Sequence, residues 1–168
     1  MKQDELRKTL SEFAADRLAL LHRHEAGARV VSHYDFNNTY QYVLAREETQ
    51  ITWLRNALAE VDAPLPAASA ALEVPEATSR SRKGDAASYR GILEDDARQL
   101  DRFVETWRDR VAGVTHARHR QMLQVILGES REHQRLFEQA ASGFEDLLGR
   151  RTGGVARVGG VLPTRWVE

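Results

Sequence analysis

The segment at residues 62–84 reads DAPLPAASAALEVPEATSRSRKG and lies between two stretches of helical periodicity. It contains three of the four prolines of the chain, Pro64, Pro66 and Pro75, together with six alanines. Because proline lacks the backbone N–H that a helix interior needs, the segment predicts a long non-helical connection. A helix over residues 34–61 is roughly 40 Å long, and an extended connection of this length can span it. The segment therefore favours parallel helices on either side of it.

Two amphipathic helices are predicted before this connection and two after it. Apolar residues recur every three or four positions in each, the period of a helix with one buried face. The predicted ranges are about 3–25, 34–61, 85–112 and 116–148. Gly27, Gly113 and Gly149 are predicted to end the first, third and fourth helices, because glycine is common just after a helix C-terminus.

The short links within each pair of helices predict two antiparallel hairpins. Joined by the long connection, they form an all-α four-helix bundle over residues 1–148 with up-down-down-up topology. An up-down-up-down bundle with a loose loop is the alternative. Residues 149–168 are rich in glycine and arginine and are predicted to form an extended or disordered tail. The sequence allows a homodimer through a bundle face or through this tail.

The composition excludes several classes of function. Lys and Arg total 24 and Asp and Glu total 25, a formal net charge of −1, which disfavours nucleic acid and anionic membranes as partners. The absence of cysteine excludes disulfides and thiolate metal sites. No run approaches the roughly 18 apolar residues of a membrane span, and the N-terminus has no apolar signal region. We expect a soluble, cytoplasmic protein whose chemistry depends on carboxylates and imidazoles.

Four ionisable residues interrupt the apolar stripes of the helices. Glu47 is on the second helix, Asp96 on the third, and Glu129 and His133 are on the fourth. A buried carboxylate without a partner costs several kcal/mol, so each should be ion-paired, protonated or bound to a metal. Counted from the helix ends, these residues lie within about one turn of the same depth. They are therefore predicted to meet near the middle of the bundle.

Two segments around these residues carry a family resemblance: AREETQ at 45–50 and GESREHQRLF at 128–137. Over residues 3–148 the chain resembles the ferritin-like superfamily, nearest to the rubrerythrin-type di-iron carboxylate bundles. The resemblance implies a ferritin-like four-helix bundle with a Glu-x-x-His motif on each of two helices. Gln50 stands where the second helix would carry the motif histidine. On the fourth helix, either Glu132 or His133 could ligate together with Glu129.

The resemblance implies a mid-bundle metal site that is dinuclear, mononuclear or vestigial. Oxygen-rich ligands with one imidazole suit iron or manganese, and no organic cofactor is predicted. An active site of this kind would carry out oxygen, peroxide or iron oxidation chemistry, and no catalytic residue is assigned. The predicted ligands are Glu47, Gln50, Asp96, Glu129, Glu132 and His133.

The alternative is a metal-free helical scaffold or interaction protein. Here the same acids would form a buried hydrogen-bonded network with Arg17, Arg46 or Arg131 as partners. Gln50 and Glu132, in place of the motif histidines, favour this interpretation. Two histidine pairs, His22 with His24 and His116 with His119, are expected to be adventitious surface groups. Gly128 is expected to mark a close helix approach or space near the site.

Overall fold

The computed structural model describes residues 3–78, 85–145 and 147–149, and within these ranges all regular structure is helical. The helices are α1 (Gln3–Val30), α2 (Tyr34–Ala59), the 3₁₀ helix η1 (Ala86–Tyr89), α3 (Arg90–Ala112) and α4 (Ala117–Ala141). Over these residues the prediction of an all-α fold with four long helices is confirmed. The predicted tail lies, apart from Gly149, outside the described residues.

Ion pairs at one end of the bundle define the helix directions. Arg118, near the start of α4, pairs with Glu60 just after α2, and Arg110, near the end of α3, pairs with Glu12 of α1. The ends of α2 and α3 therefore lie beside the first halves of α4 and α1. Consequently α2 and α3 point in the same direction, while α1 with α2 and α3 with α4 form antiparallel hairpins.

The connection after α2 has no helix over residues 62–78 and runs along the bundle. The backbone N–H of Ser69 donates to the carbonyl of Ala15, in the middle of α1, at 3.0 Å. The side chains of Leu65 and Leu72 pack against the hydrophobic core. The connection therefore covers α1 on its way to α3.

Two helix ends differ from the prediction. The first helix continues through Gly27 to Val30, and the fourth ends at Ala141 instead of near Gly149. Gly143 follows α4 with a φ of 97°, a conformation that costs glycine little and other residues much. α4 therefore ends before its apolar pattern does, and Phe144 is exposed.

Gly27 has a packing role in place of the predicted capping role. A Cβ atom at this position would lie 2.9 Å from Cε1 of Tyr40 on α2. The Tyr40 ring is fully buried, and its hydroxyl donates to Asp96 on α3. The missing side chain thus lets α1 and α2 approach where Tyr40 crosses between them. Gly128 has no such neighbour, because a Cβ there would meet nothing within 4 Å.

Aromatic side chains fill the half of the core near the start of α1. The Phe13 ring lies 4.9 Å from Trp107 and 5.1 Å from Phe103, measured between centroids, and both contacts are edge-on. Such contacts stabilise a core beyond the burial of their area. Over the part of the chain that the structure describes, no helix is both long and apolar enough to cross a membrane.

We expect Gly27→Ala and Gly128→Ala to have opposite effects on stability. Alanine at 128 should raise the free energy of unfolding by about 1 kcal/mol through helix propensity alone. Alanine at 27 gains the same propensity but collides with Tyr40, so it should lower the thermal midpoint. Thermal unfolding followed by circular dichroism measures both. A Gly27→Ala variant as stable as Gly128→Ala would contradict the close approach of the helices.

Candidate functional site

Charged residues at the middle of the bundle form one connected group, which we call the ionic network. On α1, Arg17 and His24 are seven residues apart and so share a helix face. The Arg17 Nη2 atom donates to Oε1 of Glu47 at 2.8 Å, and Nδ1 of His24 lies 2.8 Å from the same oxygen. All three side chains are fully buried. The network comprises Arg17, Arg23, His24, Tyr40, Glu47 and Asp96.

Asp96 of α3 forms the other half of the ionic network. Its Oδ1 atom lies 3.2 Å from Nη2 of Arg23 and 3.8 Å from Nε2 of His24. The Tyr40 hydroxyl donates to its Oδ2 atom. The same Arg23 nitrogen donates to the neighbouring Asp95 at 3.2 Å. The His24 ring therefore lies between the two buried carboxylates and links α2 to α3.

Burial and ion pairing act in opposite directions on the two acids. Burial raises the pKa of Glu47, but the Arg17 guanidinium and His24 outweigh burial and lower this pKa to about 2. Burial also raises the pKa of Asp96, and there it outweighs His24 and Arg23. The pKa of Tyr40 is raised well above its usual value, mainly by burial and then by Asp96. The hydroxyl is therefore neutral and acts as a donor.

A second polar group lies at the edge of the network, between α2 and α4. The Gln50 side-chain amide donates to Oε2 of Glu129, and Arg46 pairs with Oε1 of the same carboxylate. Burial raises the pKa of Glu129, but hydrogen bonds from Arg46 and Gln50 lower it further than burial raises it. Because the Glu129 side chain is 25% exposed and Arg46 is 35% exposed, this pair reaches solvent.

His133 of α4 is buried and neutral. Its pKa is lowered to about 4, mainly by burial, although Glu47 acts to raise it. Its Nδ1 atom is buried without a hydrogen-bond partner. The imidazole faces α2, where its ring centroid lies 6.1 Å from that of Tyr42.

The structure brings most of the predicted ligands together, but not into one group. Glu47 and Asp96 are joined through His24, whereas Gln50 and Glu129 bond to each other. Glu132 is exposed and lines a surface groove with Tyr42 and Leu136, so of the two alternatives on α4 only His133 points into the bundle. Of the arginines considered as partners, Arg17 and Arg46 are paired with these acids, while Arg131 pairs with Glu105.

Of the residues that α1 contributes to the network, the sequence predicted Arg17 as a partner, missed Arg23 and wrongly expected His24 at the surface. Asp16 accepts a hydrogen bond from Nε1 of Trp107 at 2.8 Å, and Glu12 pairs with Arg110, so neither acid joins the network. The helix instead contributes Arg17, Arg23 and His24. The available signal was spacing, since Arg17 follows the buried Phe13 by four residues and His24 follows the buried Leu20 by four.

The donor set of the network can be tested against a metal. Oε2 of Glu47 and Nδ1 of His133 are buried without hydrogen-bond partners, as ligand atoms would be, whereas Oδ1 of Asp96 is ion-paired with Arg23 at 3.2 Å. Within residues 3–78, 85–145 and 147–149, however, the only three His, Asp or Glu side chains whose ligand atoms lie within 4.8 Å of one another are His33, Asp35 and Glu145, outside the network.

The charge balance also disfavours a metal. Two guanidinium groups already neutralise the two buried carboxylates, so a divalent ion would add two uncompensated charges to a dry interior. In this arrangement the network does not fit a metal centre. Comparisons of the chain with protein-family models, curated proteins and solved structures give no match.

We expect strong thermodynamic coupling between Arg17 and Glu47. Arg17→Met leaves a buried carboxylate and Glu47→Leu leaves a buried guanidinium, so each should lower the free energy of unfolding by about 3–5 kcal/mol. The double variant removes both charges and should be more stable than either single one. Urea unfolding at pH 7.5 of the wild type, both single variants and the double variant measures the coupling energy between Arg17 and Glu47.

The matched control is an exposed pair between α3 and α4. Arg131 Nη2 lies 3.3 Å from Glu105 Oε1, and both side chains are 48% exposed. The corresponding Arg131→Met and Glu105→Leu substitutions should couple by less than about 1 kcal/mol. Additive losses in the buried pair would show that Arg17 and Glu47 do not depend on each other.

We expect His133 to destabilise the fold as the solution is acidified. Its pKa is about 4 in the folded chain against a usual 6.5, so the unfolded chain binds a proton more readily between these values. The free energy of unfolding should therefore fall as the pH decreases from 6.5 to 4, by up to about 3 kcal/mol from this group. Urea unfolding across that pH range should show a smaller loss in the free energy of unfolding for His133→Gln than for the wild type. The exposed His22→Gln serves as control, and an equal slope in both variants would argue against the buried neutral state.

Proposed function

We propose that the chain is a ferritin-like four-helix bundle in which buried arginines take the place of a metal, and that it acts as a metal-independent helical scaffold or interaction protein. The observation that carries the proposal is the hydrogen bond from Arg17 Nη2 to Glu47 Oε1 at 2.8 Å, with both side chains fully buried. In this contact the Arg17 guanidinium compensates the carboxylate charge, and no metal ion is needed.

The ferritin-like part of the proposal is supported by the helix directions and by the positions of the polar residues. Di-iron bundles of this class carry a glutamate on each of two helices and Glu-x-x-His on each of the other two. α2 offers Glu47 followed by Gln50. On α4 the residue three before His133 is Ser130, which is buried and whose hydroxyl donates to the Ile126 carbonyl at 2.7 Å. Gln50 thus stands at a motif histidine position and Ser130 at a motif glutamate position, and both form hydrogen bonds.

The substitution on α1 completes this comparison. Where the family pattern would place an inward carboxylate on this helix, the inward residue that meets Glu47 is Arg17. Exchanging an anion for a cation at the centre of the bundle changes the local charge by two units and leaves Arg17 and Arg23 balanced against Glu47 and Asp96. The neutral network then acts as a polar clamp between α1, α2 and α3.

The second candidate function is a mid-bundle iron or manganese site for oxidative or iron-handling chemistry. It is favoured by Oε2 of Glu47 and Nδ1 of His133, which are buried without a hydrogen-bond partner, and by Oδ1 of Asp96, which is held only by ion pairs with Arg23 and His24. Glu47, Asp96 and His133 would hold the ion, which would supply the redox chemistry. The Arg17 side chain would have to leave its contact with Glu47 before such an ion could bind.

Metal analysis of untagged protein, purified from cells supplemented with iron and manganese, separates the two candidates. The scaffold predicts well below one mid-bundle ion per chain, and any bound ion should be retained in Glu47→Gln. The adjacent Glu48 is exposed, so Glu48→Gln is the matched control. Stoichiometric iron or manganese that is lost in Glu47→Gln and kept in Glu48→Gln would refute the scaffold and establish the metal site.

A homodimer remains part of the proposal for an interaction protein. The two surfaces suggested for it are a bundle face and the tail, of which residues 150–168 lie outside the described part of the chain. Sedimentation of the full chain, compared with a chain ending at Gly149, distinguishes them. A dimer that is lost in the shorter chain depends on the tail, and one that persists depends on a bundle face.

A further inference from the structure

Three potential metal ligands lie at the end of the bundle where α1 turns into α2 and where the chain leaves α4. His33 is the N-cap of α2, Asp35 lies in its first turn, and Glu145 follows α4 by four residues. In the described part of the chain they are the only three His, Asp or Glu side chains with ligand atoms within 4.8 Å of one another. We call them the corner cluster. His33 is fourteen residues before Glu47, so the corner cluster is roughly 20 Å from the ionic network.

Two of the three side chains are positioned by α2. The His33 ring packs against the Phe36 ring, with 4.1 Å between centroids, and its Nδ1 atom accepts the backbone N–H of Phe36 at 3.5 Å. Asp35 is 6% exposed. The Nε2 atom of His33 lies 3.8 Å from Oε1 of Glu145, whose side chain is 43% exposed. The corner cluster therefore combines an oriented imidazole and a buried carboxylate with a second carboxylate on the solvent side.

The charge of the corner cluster distinguishes it from the ionic network. Its two carboxylates face one imidazole, so the three side chains together carry a net negative charge whether or not the imidazole is protonated. In the ionic network, by contrast, two guanidinium groups balance two carboxylates. Two acids and a histidine that converge from separate segments of the chain form a donor set for a divalent cation.

We propose that the corner cluster binds a divalent transition-metal ion of the zinc type through the imidazole of His33 and the carboxylates of Asp35 and Glu145. Zn²⁺ accepts such ligands at about 2.0–2.2 Å, so two of them on one tetrahedral ion lie about 3.4 Å apart. The separation of His33 Nε2 and Glu145 Oε1 is 3.8 Å, and no two of the three ligand atoms are more than 4.8 Å apart. Binding therefore needs these atoms to close by at most about 1.4 Å. Glu145 can supply this movement, because it lies beyond the last turn of α4.

A metal ion at the corner cluster would connect two parts of the chain that are far apart in sequence. His33 and Asp35 belong to the start of α2, whereas Glu145 belongs to the segment that follows α4. Leu147 of that segment packs against the hydrophobic core. The ion would therefore act as a clamp that holds the chain after α4 against the first hairpin. This clamp is separate from the ionic network and goes beyond the scaffold proposed above.

Two features weaken binding at the corner cluster. The N-terminal end of α2 carries a partial positive charge, which stabilises Asp35 and opposes a cation. A neutral imidazole that binds a metal through Nε2 carries its proton on Nδ1, so His33 would give up its contact with the Phe36 N–H. We therefore expect a micromolar dissociation constant for Zn²⁺, not the tight binding of a structural zinc site with four protein ligands.

Calorimetric titration of Zn²⁺ into the untagged full chain at pH 7.5 tests the proposal. The wild type should bind one ion per chain at the corner cluster. Glu145→Gln and His33→Asn should each weaken binding by about tenfold or more, because even the outer partners of metal ligands contribute that much. Asparagine is a good N-cap, so His33→Asn removes the imidazole while it keeps the cap of α2. Glu48→Gln and His22→Asn, at exposed positions on α2 and α1, are the controls and should leave the affinity unchanged.

The thermal midpoint of unfolding gives a second readout. Zn²⁺ should raise the midpoint of the wild type, because an ion that binds only the folded chain stabilises it, and it should raise the midpoint of Glu145→Gln less. Absence of saturable binding in the wild type would overturn the proposal, as would wild-type affinity in both Glu145→Gln and His33→Asn. Circular dichroism shows whether each variant is folded.

Glu47→Gln separates this proposal from the scaffold proposal, because it alters the ionic network without altering the corner cluster. We expect Glu47→Gln to bind Zn²⁺ with wild-type affinity. Binding that is lost in Glu47→Gln and kept in Glu145→Gln would place the ion in the ionic network and overturn both proposals. Binding that none of these substitutions changes would overturn the corner cluster alone.

Discussion

Glu47 and Asp96 are both fully buried at the centre of one bundle, and a buried carboxylate is tolerated only beside a cation or hydrogen-bond donors. α1 supplies what they need: Arg17 for Glu47, Arg23 for Asp96, and the His24 ring between them. Because the partners come from three helices, a shift of one helix along another would leave a buried charge without its partner. The ionic network therefore fixes the relative positions of α1, α2 and α3.

The packing around the network depends on the same residues. The Arg17 guanidinium lies 5.5 Å from the centroid of the Phe103 ring, so the cation that neutralises Glu47 also contacts the aromatic core. Tyr40 fills the space that Gly27 leaves on α1 and donates to Asp96. A close helix approach, a buried hydroxyl and a buried acid are thus linked in one unit. Replacing either partner of an ion pair should disturb packing as well as charge.

The sequence predicted the features that repeat with the helical period or interrupt it. Apolar stripes placed the four helices, and Glu47 and Asp96 were recognised as buried because they interrupt those stripes. Arg17 was named as a possible partner of these acids, but Arg23 and His24 were not, because arginine and histidine on an otherwise mixed helix face are usually solvated. The seven-residue spacing of Arg17 and His24 becomes informative only when the facing acids on α2 and α3 are known.

Helix ends show the same limit. Glycine is favoured both where a helix stops and where another helix comes close, and the local sequence does not distinguish the two uses. Gly27 was predicted to end α1 but accommodates Tyr40, whereas Gly143, with its positive φ, lies at the end of α4. Tertiary contacts decide between these roles. Tertiary contacts also decide the position of Glu129. Its carboxylate lies at the solvent edge of the bundle, where Arg46 and Gln50 bind it.

We propose that arginine, not a metal, neutralises the middle of the bundle. Titration of Mn²⁺ into ¹⁵N-labelled full-length protein tests it most directly, because the ion broadens the NMR signals of nuclei near its binding site. If the claim is correct, the amide signals of Arg17, Glu47 and His133 keep their intensity at one equivalent of Mn²⁺. Selective loss of those three signals would contradict it.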